Sequence, residues 1–185
     1  MKIVVAPQAL KGSLSALEAA RAIEQGINRA LPDTRIVLLP IADGGDGTLE
    51  ALVETTAGRM FKTDVVGPIG SRVDAVWGVM GDKETAVIEM ARVSGITLVP
   101  EDRRNPRVAT TYGTGQLLVQ ALDKGYRRII IGLGGSATND GGAGMAQAIG
   151  ASLLDCDGNE LGFGGAVLAK LEEIDVPRIP PAISE

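Results

Sequence analysis

Histidine is absent from this sequence and cysteine occurs once, which removes two common carriers of chemistry. Without an imidazole, the usual general base and metal ligand near neutral pH is missing. Catalysis must fall to Asp, Glu, Lys or hydroxyl groups. Cys156 cannot form an intramolecular disulfide, has no base beside it in sequence, and is expected to pack without a role. Aromatic residues make up only 3% of a chain that is 45% hydrophobic, so Ala, Val, Ile and Leu must fill the core, as they do in helix-covered parallel sheets. Also missing is any run of Lys or Arg long enough to follow a phosphate backbone. Against 23 acidic residues there are 18 basic ones, a formal charge of −5, and nucleic acid is not expected as a partner. Apolar stretches such as Ile36–Leu39 and Ile129–Ile131 are strand-length, and Met1–Val5 leads into a turn without a signal-peptide pattern. The reading is a cytoplasmic protein with no membrane contact.

What the chain does contain is a recurring strand, glycine-rich turn and helix. Ile3–Ala6 reads as a buried strand, followed by a helix over Ser15–Leu31. Ser15 and Glu18 form a capping box, and Ala16, Ala19, Ala20, Ile23, Ile27, Ala30 and Leu31 make one apolar face. The unit repeats with a strand at Arg35–Leu39 and a helix at Thr48–Thr56. Segments 61–66, 72–80 and 85–89 are joined by turns too short for helices and predict an antiparallel meander. A helix over Gly115–Lys124, a strand over Arg127–Gly132, a short helix ending near Gly150 and a strand at Ala151–Leu154 follow. The expected fold is α/β: a parallel-sheet lobe with helices on both faces, residues 1–66, plus a second α/β lobe with the meander and a glycine-rich loop, residues 67–174. Residues 175–185 carry three prolines and read as an exit segment or linker.

Three turns deliver Gly, small hydroxyls and carboxylates at the ends of apolar strands, where parallel sheets bind ligands. Glycine lets backbone approach a phosphate closely, and helix N-termini attract anions. Ordinary turn chemistry uses the same residue types. In the first turn Lys11 can neutralise a transferring phosphoryl group or simply lie solvated, with Ser13 beside it as a phosphate contact. The second, Asp43-Gly44-Gly45-Asp46-Gly47, offers two carboxylates that can hold Mg²⁺ or accept a hydroxyl proton. Asp46 can equally cap the following helix. The third runs from Gly132 to Gly142 and carries Gly134, Gly135, Ser136, Thr138 and Asn139 as candidate phosphate donors, with Asp140 able to bind metal or substrate.

No Gly-x-x-x-x-Gly-Lys-Ser/Thr is present, which excludes a Walker-type loop. Gly132-x-Gly134-x-x-Ala137 with Asp155 is a passable dinucleotide fingerprint, opposed by the glycines at 141 and 142 where its helix should run. Thr110–Gly115 is a fourth candidate turn, with Thr114 a natural N-cap or phosphate contact. Arg92, Arg103, Arg104 and Arg107 can clamp a carboxylate or stay solvated.

These turns resemble the bacterial glycerate kinase family. The resemblance rests on Ala6-Pro7 through Lys11-Gly12-Ser13-Leu14-Ser15, on Pro40 through Thr48, on Thr111-Tyr112-Gly113-Thr114-Gly115 and on Gly134 through Gly142. It implies ATP- and Mg²⁺-dependent phosphorylation of D-glycerate between two α/β lobes. Lys11 and Asp43 are then the expected catalytic groups, Asp46 and Asp140 the expected metal holders. The family opening usually carries Asp-Ser-Phe where this chain has Gln8-Ala9-Leu10, so substrate preference can differ. Family members are longer, with a later Gly-Glu-Gly-Arg segment that this sequence lacks, so the chain is expected to correspond to their N-terminal part. A non-catalytic anion- or partner-binding module and a homo-oligomer both stay open.

Overall fold

The computed structural model describes residues 1–10, 13–176 and 179–183. Among the described residues the strands form three sheets, of two, four and two strands. Strands β1 (Lys2–Val5) and β2 (Arg35–Leu38) pair in parallel, Lys2 with Arg35 through Val5 with Leu38. Between them runs α1 (Ala16–Ala30), begun by the expected capping box: Glu18 N–H donates to Ser15 Oγ at 3.2 Å, and Ser15 N–H donates to Glu18 Oε2 at 2.8 Å. Its buried residues are Ala16, Ala19 and Ala20, while Ile23 and Leu31 are each 45% exposed. The fully buried part of the apolar face thus lies in the first turns, with Ile27 half-buried further on.

Helix α2 (Thr48–Thr55) follows β2 in the chain but packs on the second sheet. That sheet has the order β3 (Arg59–Val66), β4 (Arg72–Val79), β5 (Thr85–Glu89), β6 (Arg128–Gly132). The expected meander is present, with β3–β4 and β4–β5 antiparallel, and it continues into a parallel β5–β6 pair. The β3–β4 hairpin registers Arg59 with Val79 through Val66 with Arg72, running across residues 66 and 67. Alternate residues face opposite sides. Leu49 and Val53 of α2 pack with Val87 on one face. On the other, Trp77, Ala86 and Ile88 meet Val93 of α3 (Ala91–Ser94) and Leu117 and Ala121 of α4 (Tyr112–Asp123). Helices on both faces thus belong to this mixed sheet.

Helix α4 starts at Tyr112, before the expected Gly115, and its N-cap position is Thr111, so Thr114 is not the cap. Gly113 and Gly115 look like helix breakers, yet both are demanded by close packing. A Cβ at Gly113 would strike the Val66 carbonyl, and one at Gly115 would lie 2.5 Å from the Met145 carbonyl. Helix α5 (Ala143–Ala148) lies against α4. Strand β7 (Ser152–Leu154) pairs antiparallel with β8 (Glu173–Asp175), a strand the sequence did not suggest, and a 3-10 turn spans Gly165–Lys170. Cys156 is exposed, against the expectation that it packs.

Candidate active site

The second and third glycine turns meet backbone to backbone beyond the C-terminal ends of β2 and β6. Gly134 N–H donates to the Gly44 carbonyl at 2.7 Å. A Cβ on Gly132 would lie 2.7 Å from that same oxygen, and one on Gly134 would lie 2.6 Å from Gly45 Cα. No other residue type fits this contact. Gly44 and Gly47 also hold φ of 87° and 90°, the left-handed region that side chains disfavour.

Within the second turn, Asp43 Oδ1 accepts the Gly45 N–H at 3.0 Å and Thr48 Oγ1 accepts the Gly44 N–H at 3.0 Å. Asp43 and Asp46 are both exposed. Asp46 does not cap α2: the N-cap is Gly47, with no side-chain cap. Instead Asp46 lies beside the third turn, its Oδ1 only 3.6 Å from where a Cβ on Gly135 would stand.

The third turn is pinned from its other side by the segment after β5. Met90 N–H donates to the Gly132 carbonyl, Ile96 N–H to the Gly135 carbonyl and Ala137 N–H to the Ser94 carbonyl, at 2.9, 2.9 and 2.8 Å. Ser136 Oγ and Thr138 Oγ1 are 2.7 Å apart and tied to one another. Asn139 is exposed. Residues 138–142 intervene before α5 begins at Ala143, so the helix that a dinucleotide fingerprint requires does not start within the 132–137 glycine motif.

The second of these turns borders a cleft of about 610 Å³, which the third does not line. Leu10 and Ser13 of the first turn, Asp46, Glu50 and Glu54 line it, together with Arg92. A smaller cavity of about 250 Å³ adjoins it, with Asp46 and Arg92 on both walls and Asp74 and Glu89 on its own. Lys11 lies outside the described residues.

Thr114 and Asp140 sit elsewhere. Both are 1% exposed. Thr114 Oγ1 is 2.9 Å from Ser94 Oγ. Asp140 Oδ2 accepts from Thr111 N–H, Thr111 Oγ1 and Gly144 N–H at 2.8, 2.9 and 3.2 Å, and Oδ1 accepts from Gly142 N–H at 3.1 Å. The carboxylate bridges the start of α4 to the start of α5. Among the described residues, no group of three or more carboxylate or thiol side chains is gathered as a metal site.

Sequence reasoning overlooked Glu89. It ends β5, is 1% exposed, and its Oε2 accepts Leu49 N–H at 2.8 Å. Arg92 Nε donates to Glu89 Oε1 at 3.3 Å, and Arg92 also pairs with Glu50. Burial raises the Glu89 carboxyl above its ordinary range, opposed by the Leu49 N–H and by Arg92. A carboxylate closing the run Thr85-Ala86-Val87-Ile88 was the available signal. Of the four arginines that can clamp a carboxylate, Arg92 reaches the cleft, whereas Arg103, Arg104 and Arg107 lie on the exposed stretch after Val99.

The glycerate kinase family pattern matches residues 3–185. The chain belongs to this family. It is 53% identical over 185 residues to glycerate 2-kinase of Escherichia coli strain K12, covering all of this chain and 49% of that protein. Over 176 residues it is 57% identical to glycerate kinase of Bacillus subtilis strain 168, covering 95% of this chain and 46% of that one. A Salmonella typhimurium LT2 protein described as glycerate kinase 2 has a crystal structure that superposes with a TM-score of 0.83 at 53% identity, covering 100% of this chain and 50% of the other. The chain thus spans about half the length of the relatives it matches.

Proposed function

We propose that this chain carries the phosphate-binding and proton-accepting part of a kinase that phosphorylates D-glycerate with ATP. The observation that carries the reading is the seating of Gly134 on Gly45, which joins the third turn to a second turn that borders an acid-lined cleft, in a chain whose relatives bear the glycerate kinase name. Glycine turns at strand ends suit the oxygens of a polyphosphate. The Gly134–Asn139 turn would cradle them, with its hydroxyls and the backbone amides other than those of Gly134, Ala137 and Thr138, which already donate within the fold. Asp43, exposed at the turn, accepts the proton as a glycerate hydroxyl oxygen bonds to the terminal phosphorus and the bridging bond to ADP breaks. Lys11 offsets charge on the transferring group.

The exposed carboxylates of Asp43 and Asp46 fit Mg²⁺, which typically takes one or two carboxylates alongside phosphate oxygens and water. Bound there, the ion would neutralise phosphate charge. Asp140 has its oxygens committed to four donors and serves as a brace between α4 and α5 in this reading. Among the described residues no helix is long and apolar enough to cross a membrane. An exposed unpaired Cys156 suits the reducing cytoplasm.

A coupled ADP-release assay on the complete gene product tests the roles. Lys11→Ala and Asp43→Asn should each lower turnover by roughly a hundredfold. Near-wild-type rates in both would sink the assignment. Thermal-shift titration separates the alternatives: MgATP or glycerate should raise the melting midpoint, whereas NAD alone doing so would favour a dinucleotide site. No shift with any of them would favour a non-catalytic module.

A further inference from the structure

The geometry points to Glu89 as the positioning residue that anchors the Asp43–Gly47 turn to the central sheet. The inference rests on the kinase reading above and deepens it. A helix start leaves orphan N–H groups that a side chain at the N-cap ordinarily satisfies. Helix α2 cannot use that device, because its N-cap is a glycine at φ 90°. Its Leu49 N–H goes instead to Glu89 Oε2 at 2.8 Å, and the Gly47 N–H also faces this carboxylate.

The cap therefore comes from forty positions further along the chain, at the last residue of β5. A local cap would fix the turn only to its own helix. A cap on β5 fixes it to the strand whose final pair, Glu89 with Gly132, also launches the third turn. Both glycine turns are thus referenced to the same point in the sheet, and Asp43 and Asp46 are held in register with Gly134 and Gly135. Glu89 has a second hold, on Arg92 Nε at 3.3 Å, which directs that guanidinium toward Glu50 at the cleft.

Glu89 faces charged groups from each neighbouring element: Glu50 on α2, Arg92 on α3, Asp46 in the turn and Asp74 on β4, the last two across the smaller cavity. Burial favours its protonated form, while the helix N-terminus and Arg92 favour the anion. Protonation weakens both holds together.

Glu89→Gln keeps the shape and one acceptor but loses the charge. In the complete protein, amide exchange of residues 43–50 should accelerate at least about tenfold in Glu89→Gln with no ligand present. With MgATP and glycerate, kcat should fall about tenfold or more while the nucleotide KM moves less than about threefold. The acid limb of the kcat profile should flatten, and Glu89→Asp should recover less than half of the loss if reach as well as charge matters. Unchanged exchange in Glu89→Gln overturns the anchoring. Faster exchange with unchanged kcat and an unchanged acid limb reduces Glu89 to a structural cap and overturns the positioning role. Wild-type protein that does not phosphorylate glycerate, yet loses protection at 43–50 in the variant, would retire the kinase reading and leave the anchor standing.

Discussion

Gly134 lies so close over Gly45 that a single methyl group on Gly134 would come within 2.6 Å of the Gly45 Cα and 2.7 Å of its nitrogen. Backbone, not a pliable side chain, is what that methyl meets. The contact joins two turns that are far apart in sequence, and it explains why positions 132 and 134 are glycine.

Gly134→Ala should therefore destabilise the fold by about 1–3 kcal/mol, since overpacking against backbone forces the turns apart. Turnover should fall further than stability, because the displaced turn is the proposed phosphate cradle. Gly26→Ala is the internal control: Gly26 lies inside α1 with nothing within 4 Å of its Cβ position. It should stabilise by roughly 0.5–1 kcal/mol. Denaturant midpoints of the two variants should move in opposite directions.

Asp140 is tested by removal. Asp140→Ala leaves the Thr111 and Gly144 N–H groups buried without the acceptor they now share, and takes the Gly142 N–H acceptor as well. Unmet buried donors cost about 1–3 kcal/mol each, so the loss should reach at least about 3 kcal/mol. Asp140→Asn retains oxygen acceptance on one side and should lose less. If instead the melting midpoint of wild type alone responded to Mg²⁺ and Asp140→Asn abolished that response with little intrinsic loss, Asp140 would be a metal ligand.

How much of this was legible in the residues depended on range. Helix α1 was readable because its capping box and apolar period lie within consecutive turns, and β3 to β5 because apolar runs were bounded by turn residues. The start of α4 was misplaced because Gly113 and Gly115 argue locally against helix. Their reason lies in Val66 and Met145, which no local pattern can supply. The glycine turns were picked out as candidates from their residue types, yet Glu89 was passed over since its partner, the Leu49 N–H, becomes a neighbour only when α2 packs on β5. Strand β8 is three residues long and exposed throughout, so its brief Glu-Ile-Asp alternation carries too little signal to mark a strand.

Acid stability offers a test at a site remote from the cleft. Asp82 accepts from the Thr85 hydroxyl at 2.6 Å and from the Glu84 and Thr85 N–H groups at 3.0 and 2.9 Å, which lowers its carboxyl to about 2. A depressed carboxyl stabilises the fold above its unfolded value, near 4, and that contribution disappears as pH falls toward 2. Asp82→Asn should accordingly melt below wild type at neutral pH, with the gap closing between about pH 4 and pH 2. A gap that does not change with pH would assign the loss to shape instead of charge.

Glu89 should behave in the opposite sense. Its folded carboxyl is raised, chiefly by burial, so the folded state binds the proton more tightly than the unfolded chain does. The resulting contribution is fully present below the unfolded value, near 4.3, and is lost as pH rises through the higher folded value. At neutral pH the buried anion is thus a net burden relative to its protonated form, even while it holds Leu49 and Arg92. Glu89→Gln should for that reason melt close to wild type or above it at pH 7, with any advantage shrinking as pH falls toward 4 and the wild-type carboxyl takes up its proton. Melting curves across this interval decide the matter. A variant that melts lower than wild type by the same amount at every pH would show that Glu89 acts through packing alone, whereas a difference that shifts in the variant's favour as pH rises, together with the loss of turnover, would show a carboxylate kept ionised for the site at the expense of the fold.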